Sequence, residues 1–316
     1  MRRCRPFLRR LFELIFTFLI VSILSFGLMR LSPVDPATAY AIRNMSSATP
    51  EQVQQVREDM GLDKPLPVQY FNWVKNALHL DFGESLVNGK PALGELMRAV
   101  PVTLKVVGLT ACIEAVGAVL FGCLLHLWRG KPGGVVLTVL ALAAISIPGF
   151  YIASVYLDLF AVKWNIISVV GNAGVLKYVH PALCLALAPT FFYARLLSSA
   201  LDRESGEDYV FYARSRGLSE GRVLLRHTLP HGVISLIPSF LQSIGLTLAG
   251  AAMIERVFSL PGLGYLIIDS VLARDTSMVH LEVLFLAMML VLLNIISDWM
   301  QELLQKRNLA KGESAL

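Results

Sequence analysis

The stretch VTLKVVGLTACIEAVGAVLFGCLLHL, residues Val102–Leu127, is apolar or small apart from Lys105, Glu114 and His126 and a few small polar residues. It is longer than the roughly 20 mostly apolar residues that a helix needs to cross the hydrocarbon of a bilayer. A surface helix of a soluble protein keeps a polar face, and this stretch has none. Outward from it, five more segments share its character: Leu11–Leu31, Gly134–Val162, Pro181–Leu201, Val233–Ile254 and Leu281–Leu303. The pattern predicts an all-α polytopic membrane protein with six transmembrane helices, folded as a single domain over residues 1–316.

Composition agrees with that reading. The 316 residues are 55% hydrophobic and only 16% charged, with a mean hydropathy of +0.61, well above the usual range of a soluble domain. The net charge of +5 does not point to nucleic acid, because the basic residues flank apolar runs instead of gathering on one polar face. Among the four cysteines, Cys4 lies in the basic leader, and Cys112, Cys123 and Cys184 lie in apolar segments without metal-ligand spacing. The six histidines are scattered, so no metal site is expected. Met1–Arg10 is Arg-rich and runs into Leu11–Met29, but that run is too long for a secretory signal and no small-x-small site follows. It reads as an uncleaved first span.

Lys and Arg are denser in the segments that lie inside when the amino terminus is cytoplasmic. Six spans then put both termini in the cytoplasm. Residues 32–100 become the one long extracytoplasmic segment, 202–232 the longest cytoplasmic loop and 304–316 a cytoplasmic tail. In the external segment, Thr49, Pro50, Gln52 and Gly61 mark the start and end of a short helix over Thr49–Met60. A second helix over Pro67–Leu80 would carry Val68, Phe71, Val74 and Leu78 along one face. Pro148-Gly149 should kink the third span. In the cytoplasmic loop, charges of both signs alternate with apolar residues, which predicts helix, a break at Gly217, then helix. A merely solvated loop has little reason to carry Phe211 and Tyr212, so the turn is expected to dock on a partner.

The stretch Asp208-Tyr209-Val210-Phe211-Tyr212-Ala213-Arg214-Ser215-Arg216-Gly217-Leu218, followed by Arg226-His227-Thr228-Leu229-Pro230, resembles the coupling loop of binding-protein-dependent ABC importer permeases. Ala213, Gly217 and Leu229-Pro230 match the family pattern, while Phe211, Tyr212 and His227 depart from it. Arg30–Ala37, Gly61–Tyr70, Leu80–Ser85, Ile254–Phe258 and Pro261–Gly264 are similar to further segments of the dipeptide, oligopeptide and nickel permeases, as the first-position or B-type subunit. The resemblance implies a type I importer permease fold in a bacterial inner membrane. It also implies a homologous second permease, two ABC ATPase subunits and an extracytoplasmic solute-binding protein as partners, besides the lipid bilayer. Asp208, Phe211, Tyr212, Ala213, Arg214, Gly217 and Leu218 would form the ATPase-coupling loop. The chain itself would be no enzyme and hold no cofactor, with ATP and magnesium on the ATPases. Consistently, Gly89-Lys90 and Gly130-Lys131 are each followed by Pro and lack phosphate-loop spacing.

Ionisable residues inside a span are costly and are functional candidates by default. Glu114 in mid-span, with Asp158 and Asp298 near span ends, are therefore the candidates along a translocation path, with inter-subunit hydrogen bonding as the competing role. Lys105 is placed to snorkel to the interface. Two other classes compete with the importer reading: a proton-coupled secondary transporter, which lacks the expected internal repeat here, and an intramembrane hydrolase, whose dyad these unlike depths would not form. Cargo is left between nickel or a metal chelate, which Asn76–Gly83 slightly favours by resemblance, and di- or oligopeptide.

Overall fold

The structure is a computed structural model that describes residues 4–30, 35–45, 48–167 and 174–313. Leu31–Val34 of the stretch that resembles the family's first-span exit, and the last three residues of the tail, lie outside the described residues. The helices are α1 (Cys4–Arg30), α2 (Pro36–Asn44), α3 (Pro50–Asp59), α4 (Leu66–Leu78), α5 (Ala92–Leu127), α6 (Pro132–Ser146), α7 (Gly149–Leu157), α8 (Leu176–Glu204), α9 (Asp208–Ser215), α10 (Glu220–Val223), α11 (Leu229–Val257), α12 (Leu263–Leu272) and α13 (Thr276–Glu313). Single π-helical turns follow α7 at Asp158–Lys163 and α10 at Leu224–Thr228. The described residues form helices and turns, with one isolated bridge between Glu84 and Pro91.

Four helical stretches are long and apolar enough to cross a membrane: Ala92–Leu127, Leu176–Glu204, Glu220–Val257 and Thr276–Leu303. Pro132–Ser146 and Gly149–Lys163 are long and apolar enough only as a pair, which is bent by 97°, the geometry of a broken span or a re-entrant loop. In α1 the apolar part, Phe12–Gly27, is shorter. Each expected span thus has a helical counterpart, but several helices run past the expected ends. α5 starts at Ala92, inside the segment expected to be external, and α11 is continuous with α10, so helix extends into the stretch 202–232 expected as a loop.

The break in the third span is far sharper than a proline kink. The clash of a proline ring with the residue before it disfavours helical geometry there, and Ile147 is extended at φ −93°, ψ 127°. Pro148 follows at φ −59°, ψ 135°, and the helix restarts when the amides of Tyr151 and Ile152 donate to the Pro148 carbonyl at 3.0 and 3.2 Å. In the first turn of α11, Pro230 supplies no amide. The π turn bridges the gap, with the Leu229 amide donating to Leu224 O.

The chain divides into two compact units, each built from two separate stretches: Met1–Thr103 with Pro261–Leu292, and Leu104–Leu260 with Leu293–Leu316. The boundary passes within α5 and α13, so it is not a linker between consecutive domains. In the first unit, Ala92, Leu96 and Ala99 of α5 pack with Leu263 of α12 and Met278 and Leu281 of α13. The Leu263 amide donates to Thr103 Oγ1 at 2.7 Å. As expected, α3 opens with a capping box: Gln52 N donates to Thr49 Oγ1 at 3.3 Å, and Thr49 N donates to Gln52 Oε1 at 3.0 Å. It ends before Gly61, which takes φ +65°.

The apolar residues expected along one face of α4 do share a face, and it is the outer one. Val68, Phe71 and Leu78 are exposed, at 43%, 70% and 74%. The side turned inward carries Gln69, Tyr70, Trp73 and Ala77. The Gln69 amide nitrogen and the Tyr70 hydroxyl find hydrogen-bond partners there, whereas among the described residues Gln69 Oε1 and the Trp73 ring N–H have none. The Gln69 amide donates to Leu62 O and Lys64 O at 3.1 and 2.6 Å. Tyr70 OH lies 2.8 Å from Ser22 Oγ of α1, and Trp73 packs on His280, whose Nδ1 is 2.8 Å from Ser25 Oγ.

In the second unit α8 is central and packs against α6, α7 and α11. Leu197 and Leu201 of α8 share a core with Leu224, with Val119 and Cys123 of α5 and with Leu229, Val233 and Leu236. Close approach is built in at Gly134, where a Cβ would lie 2.1 Å from the Trp128 carbonyl oxygen, and at Gly250, where it would meet Leu185 at 3.2 Å. Gly134→Ala must displace backbone, so it should lower the melting temperature of the purified protein by several degrees. Gly149→Ala, with open space around its Cβ, should leave it unchanged; equal melting of both variants contradicts this packing.

Candidate functional site

α9 projects from the end of α8 through the short turn at Ser205–Glu207. Glu207 is extended at φ −78°, ψ 150°, and Asp208 sits in the first helical turn, where a carboxylate is favoured by the helix dipole. The helix is amphipathic over only two turns. Val210 and Ala213 point inward and form a small core with Val223 of α10 and Leu218. Phe211 and Tyr212 point outward and are 72% and 73% exposed. Gly217 ends the helix at φ +79°, a conformation that side chains with a Cβ rarely adopt. Its amide donates to Arg214 O at 2.9 Å, and the Leu218 amide donates to Ala213 O.

Charged groups brace this turn. Arg214 Nε and Nη2 donate to Glu220 Oε1 and Oε2, both at 3.0 Å, a bidentate pair that ties α9 to α10. Tyr209 OH donates to Glu204 Oε2 at 2.6 Å, and its ring packs on His231 at 5.4 Å. Burial, then the hydrogen bond to Glu204 and the charges of Glu204 and Glu207, push the Tyr209 phenol above its usual pKa, so it stays a donor. Behind α9, His126 Nδ1 lies 2.7 Å from Asp202 Oδ1, and Arg129 pairs with Asp202 Oδ2, joining the end of α5 to the end of α8. The seven residues expected in the coupling loop lie together on this turn, divided between a core (Ala213, Leu218), a brace (Arg214), a helix-ending residue (Gly217) and an exposed surface (Asp208, Phe211, Tyr212).

The three candidate path carboxylates are not brought together. Glu114 on α5 is 1% exposed and accepts a hydrogen bond from Ser243 Oγ of α11 at 3.3 Å. Ser243 and Tyr193 line a largely apolar cavity of about 420 Å³ bounded also by Phe150, Pro189, Phe192 and Thr247. Tyr193 OH donates to Ser239 O at 2.8 Å. Asp158 lies on the π turn after α7 and pairs with Lys163 at 2.7 Å, both half-exposed. Asp298 is exposed on α13. Lys105 places its ammonium 5.3 Å from the centre of the Tyr178 ring, a cation–π contact. The residues missed from sequence are Ser243 and Tyr193, whose link to Glu114 needs the packing of α5, α8 and α11. Glu282 was also missed: it is 1% exposed, and among the described residues neither of its oxygens has a hydrogen-bond partner.

Two family descriptions match the chain: "Binding-protein-dependent transport system inner membrane component" over residues 118–309, and the N-terminal part of the same membrane component over residues 3–107. The chain belongs to this permease family. The glutathione transport system permease protein GsiC of Pectobacterium atrosepticum is 35% identical over 298 residues, covering 92% of this chain and 94% of that protein. A Brucella suis protein, provisionally named a peptide transport system permease, is 32% identical over 299 residues with the same coverage. Among solved structures, an inward-facing MetNI methionine ABC transporter matches with TM-score 0.55 at 17% identity, covering 67% of this chain and 97% of that one. That likeness shows the fold. This permease is thus a polytopic inner-membrane subunit of a binding-protein-dependent ABC importer. It is not an enzyme and carries no cofactor, since ATP is bound by the ATPase subunits. Membership replaces the secondary-transporter and hydrolase alternatives.

The division of α9 into core and surface has a direct check. Val210→Ala removes buried methyl groups and should cost about 2 kcal/mol locally, making the 205–220 region more open to limited proteolysis. Phe211→Ala should leave the cleavage rate as it is; equal sensitivity of the two variants contradicts the assignment.

Proposed function

We propose that this permease forms half of a peptide-translocating pore, and that α9 is the surface through which separate ATPase subunits drive it. The observation that carries the reading is the pair of exposed aromatics, Phe211 and Tyr212, on a helix whose other face is held by its own core and by the Arg214–Glu220 fork. Buried aromatic anchors supply much of the binding energy of protein interfaces, and a braced helix passes force where a loose loop would absorb it. ATPase closure on α9 moves α8 and α11, between which the turn is strung, and these helices line the cavity beside Glu114. A homologous permease supplies the other half, and an extracytoplasmic binding protein delivers cargo. Six crossings, with α1 as the first and the bent α6–α7 pair as the third, leave both termini and α9 in the cytoplasm.

Peptides, including glutathione-like ones, are the proposed cargo class, because the similar permeases carry those names. Nickel and metal chelates form the competing class. Glu114, held by Ser243 at the cavity, is the proposed polar contact of the path, whereas Asp158, already paired with Lys163, and Asp298, exposed on α13, fit subunit or interface contacts better.

Phe211→Asp and Gly217→Pro should each lower uptake by more than about tenfold, as loss of an interface anchor does, with normal amounts of protein in the membrane. Unchanged uptake in both removes the coupling role. In a deletion strain, growth on peptides as sole nitrogen source should fail and return on complementation, with nickel, cobalt and zinc contents unaltered. A metal deficit with normal peptide growth replaces the cargo class.

A further inference from the structure

A second cavity, of about 520 Å³, lies in the same unit at the end of α8 that leads to α9. One wall is the α8 stripe Arg195, Ser198, Ser199 and Asp202, spaced at i, i+3, i+4 and i+7 and so on a single helical face. The opposite wall is apolar and comes from α6: Val135, Thr138 and Val139, again one face. Val135 and Val139 are 63% and 58% exposed, and the Thr138 hydroxyl is already spent on Gly134 O at 2.8 Å. Arg129 at the end of α5 closes the polar end.

The charges here do not cancel within the chain. Asp202 is shared by His126 and Arg129. Arg195 has no ion-pair or hydrogen-bond partner among the described residues, although it lies within the apolar helix Leu176–Glu204. At 1.5 Å per residue its Cα is about 10 Å further into the span than that of Asp202. A guanidinium at that depth is costly without an anion, and its long stem lets it reach back toward the interface. There the headgroup phosphates of the bilayer lie, with acyl chains beneath them.

We infer that this groove is a binding site for an anionic phospholipid on the α9 side of the membrane. Arg195 and Arg129 hold the headgroup phosphate, with the Ser198 and Ser199 hydroxyls as further donors. One acyl chain lies along Val135, Thr138 and Val139. The match is one of both charge and polarity: a polar wall on which Arg195 and Arg129 outnumber the single carboxylate of Asp202, facing an apolar one, is complementary to an amphiphile with a negative head. A soluble anion would leave the α6 wall uncovered. The site is independent of the cargo and of the ATPase contact.

The test uses the purified transporter with its partner subunits, delipidated in detergent and titrated with phosphatidylglycerol, phosphatidylcholine or inorganic phosphate, with bound lipid counted by native mass spectrometry. Phosphatidylglycerol should bind in preference to phosphatidylcholine, and phosphate should not displace it. Arg195→Gln should weaken phosphatidylglycerol binding about tenfold, the loss expected for one charge-assisted contact, and Arg195→Lys should restore part of it. Val139→Trp, which fills the apolar wall and keeps both arginines, should weaken it too and serves if Arg195→Gln fails to assemble. Equal binding of the two lipids, displacement by phosphate alone, or wild-type binding in both Arg195→Gln and Val139→Trp overturns the assignment. So does dissociation of the two permeases caused by Arg195→Gln in lipid-free detergent, which would show a subunit carboxylate as the partner.

Discussion

Hydrocarbon offers no hydrogen bonds, so every backbone amide and carbonyl that enters it must be satisfied by the chain itself. That constraint accounts for the long helices and also for the way they are interrupted. Where Pro148 removes an amide, the chain turns by 97° and the Pro148 carbonyl starts the next helix. Where Pro230 does the same, the register slips by one π turn and the axis continues through Glu220–Val257. The two prolines differ in outcome because the residue before Pro148 is extended, whereas Thr228 and Leu229 stay helical, with Leu229 N–H reaching Leu224 O.

Continuity at Pro230 matters for the coupling we propose. It makes α10, the π turn and α11 one element, so that on this proposal a push on α9 through Val210, Ala213 and Val223 enters a span directly. At the other end, Tyr209 binds Glu204 at the last residue of α8. The short helix is therefore connected to two spans by a side-chain core, a hydrogen bond and an ion pair. Gly217 supplies the reversal that brings α10 back beside α9.

Most of the fold was legible in the sequence, because length and apolarity define spans, while proline, glycine and the Thr49–Gln52 capping box define their ends. The turn at residues 208–218 was also legible, since its alternation of charge and apolar residues follows helix spacing up to Gly217. The face of α4 was not. Periodicity put Val68, Phe71 and Leu78 along one face but carried no sign of which way that face turns; it is exposed, while Gln69, Tyr70 and Trp73 meet the preceding turn, α1 and α13. Nor could sequence pair Glu114 with Ser243, which lies 129 positions away on α11. Asp158 and Lys163 are close in sequence, but only the π turn shows that they meet.

The central claim is that the outward face of α9 touches an ATPase. A photoreactive phenylalanine analogue introduced in place of Phe211, in membranes that hold the complete transporter, tests it most directly. The account predicts an adduct with an ATPase subunit from position 211 and from position 212, and none from position 210, whose side chain is buried in the turn. No ATPase adduct from 211 or 212, or equal adducts from 210 and 211, would contradict it.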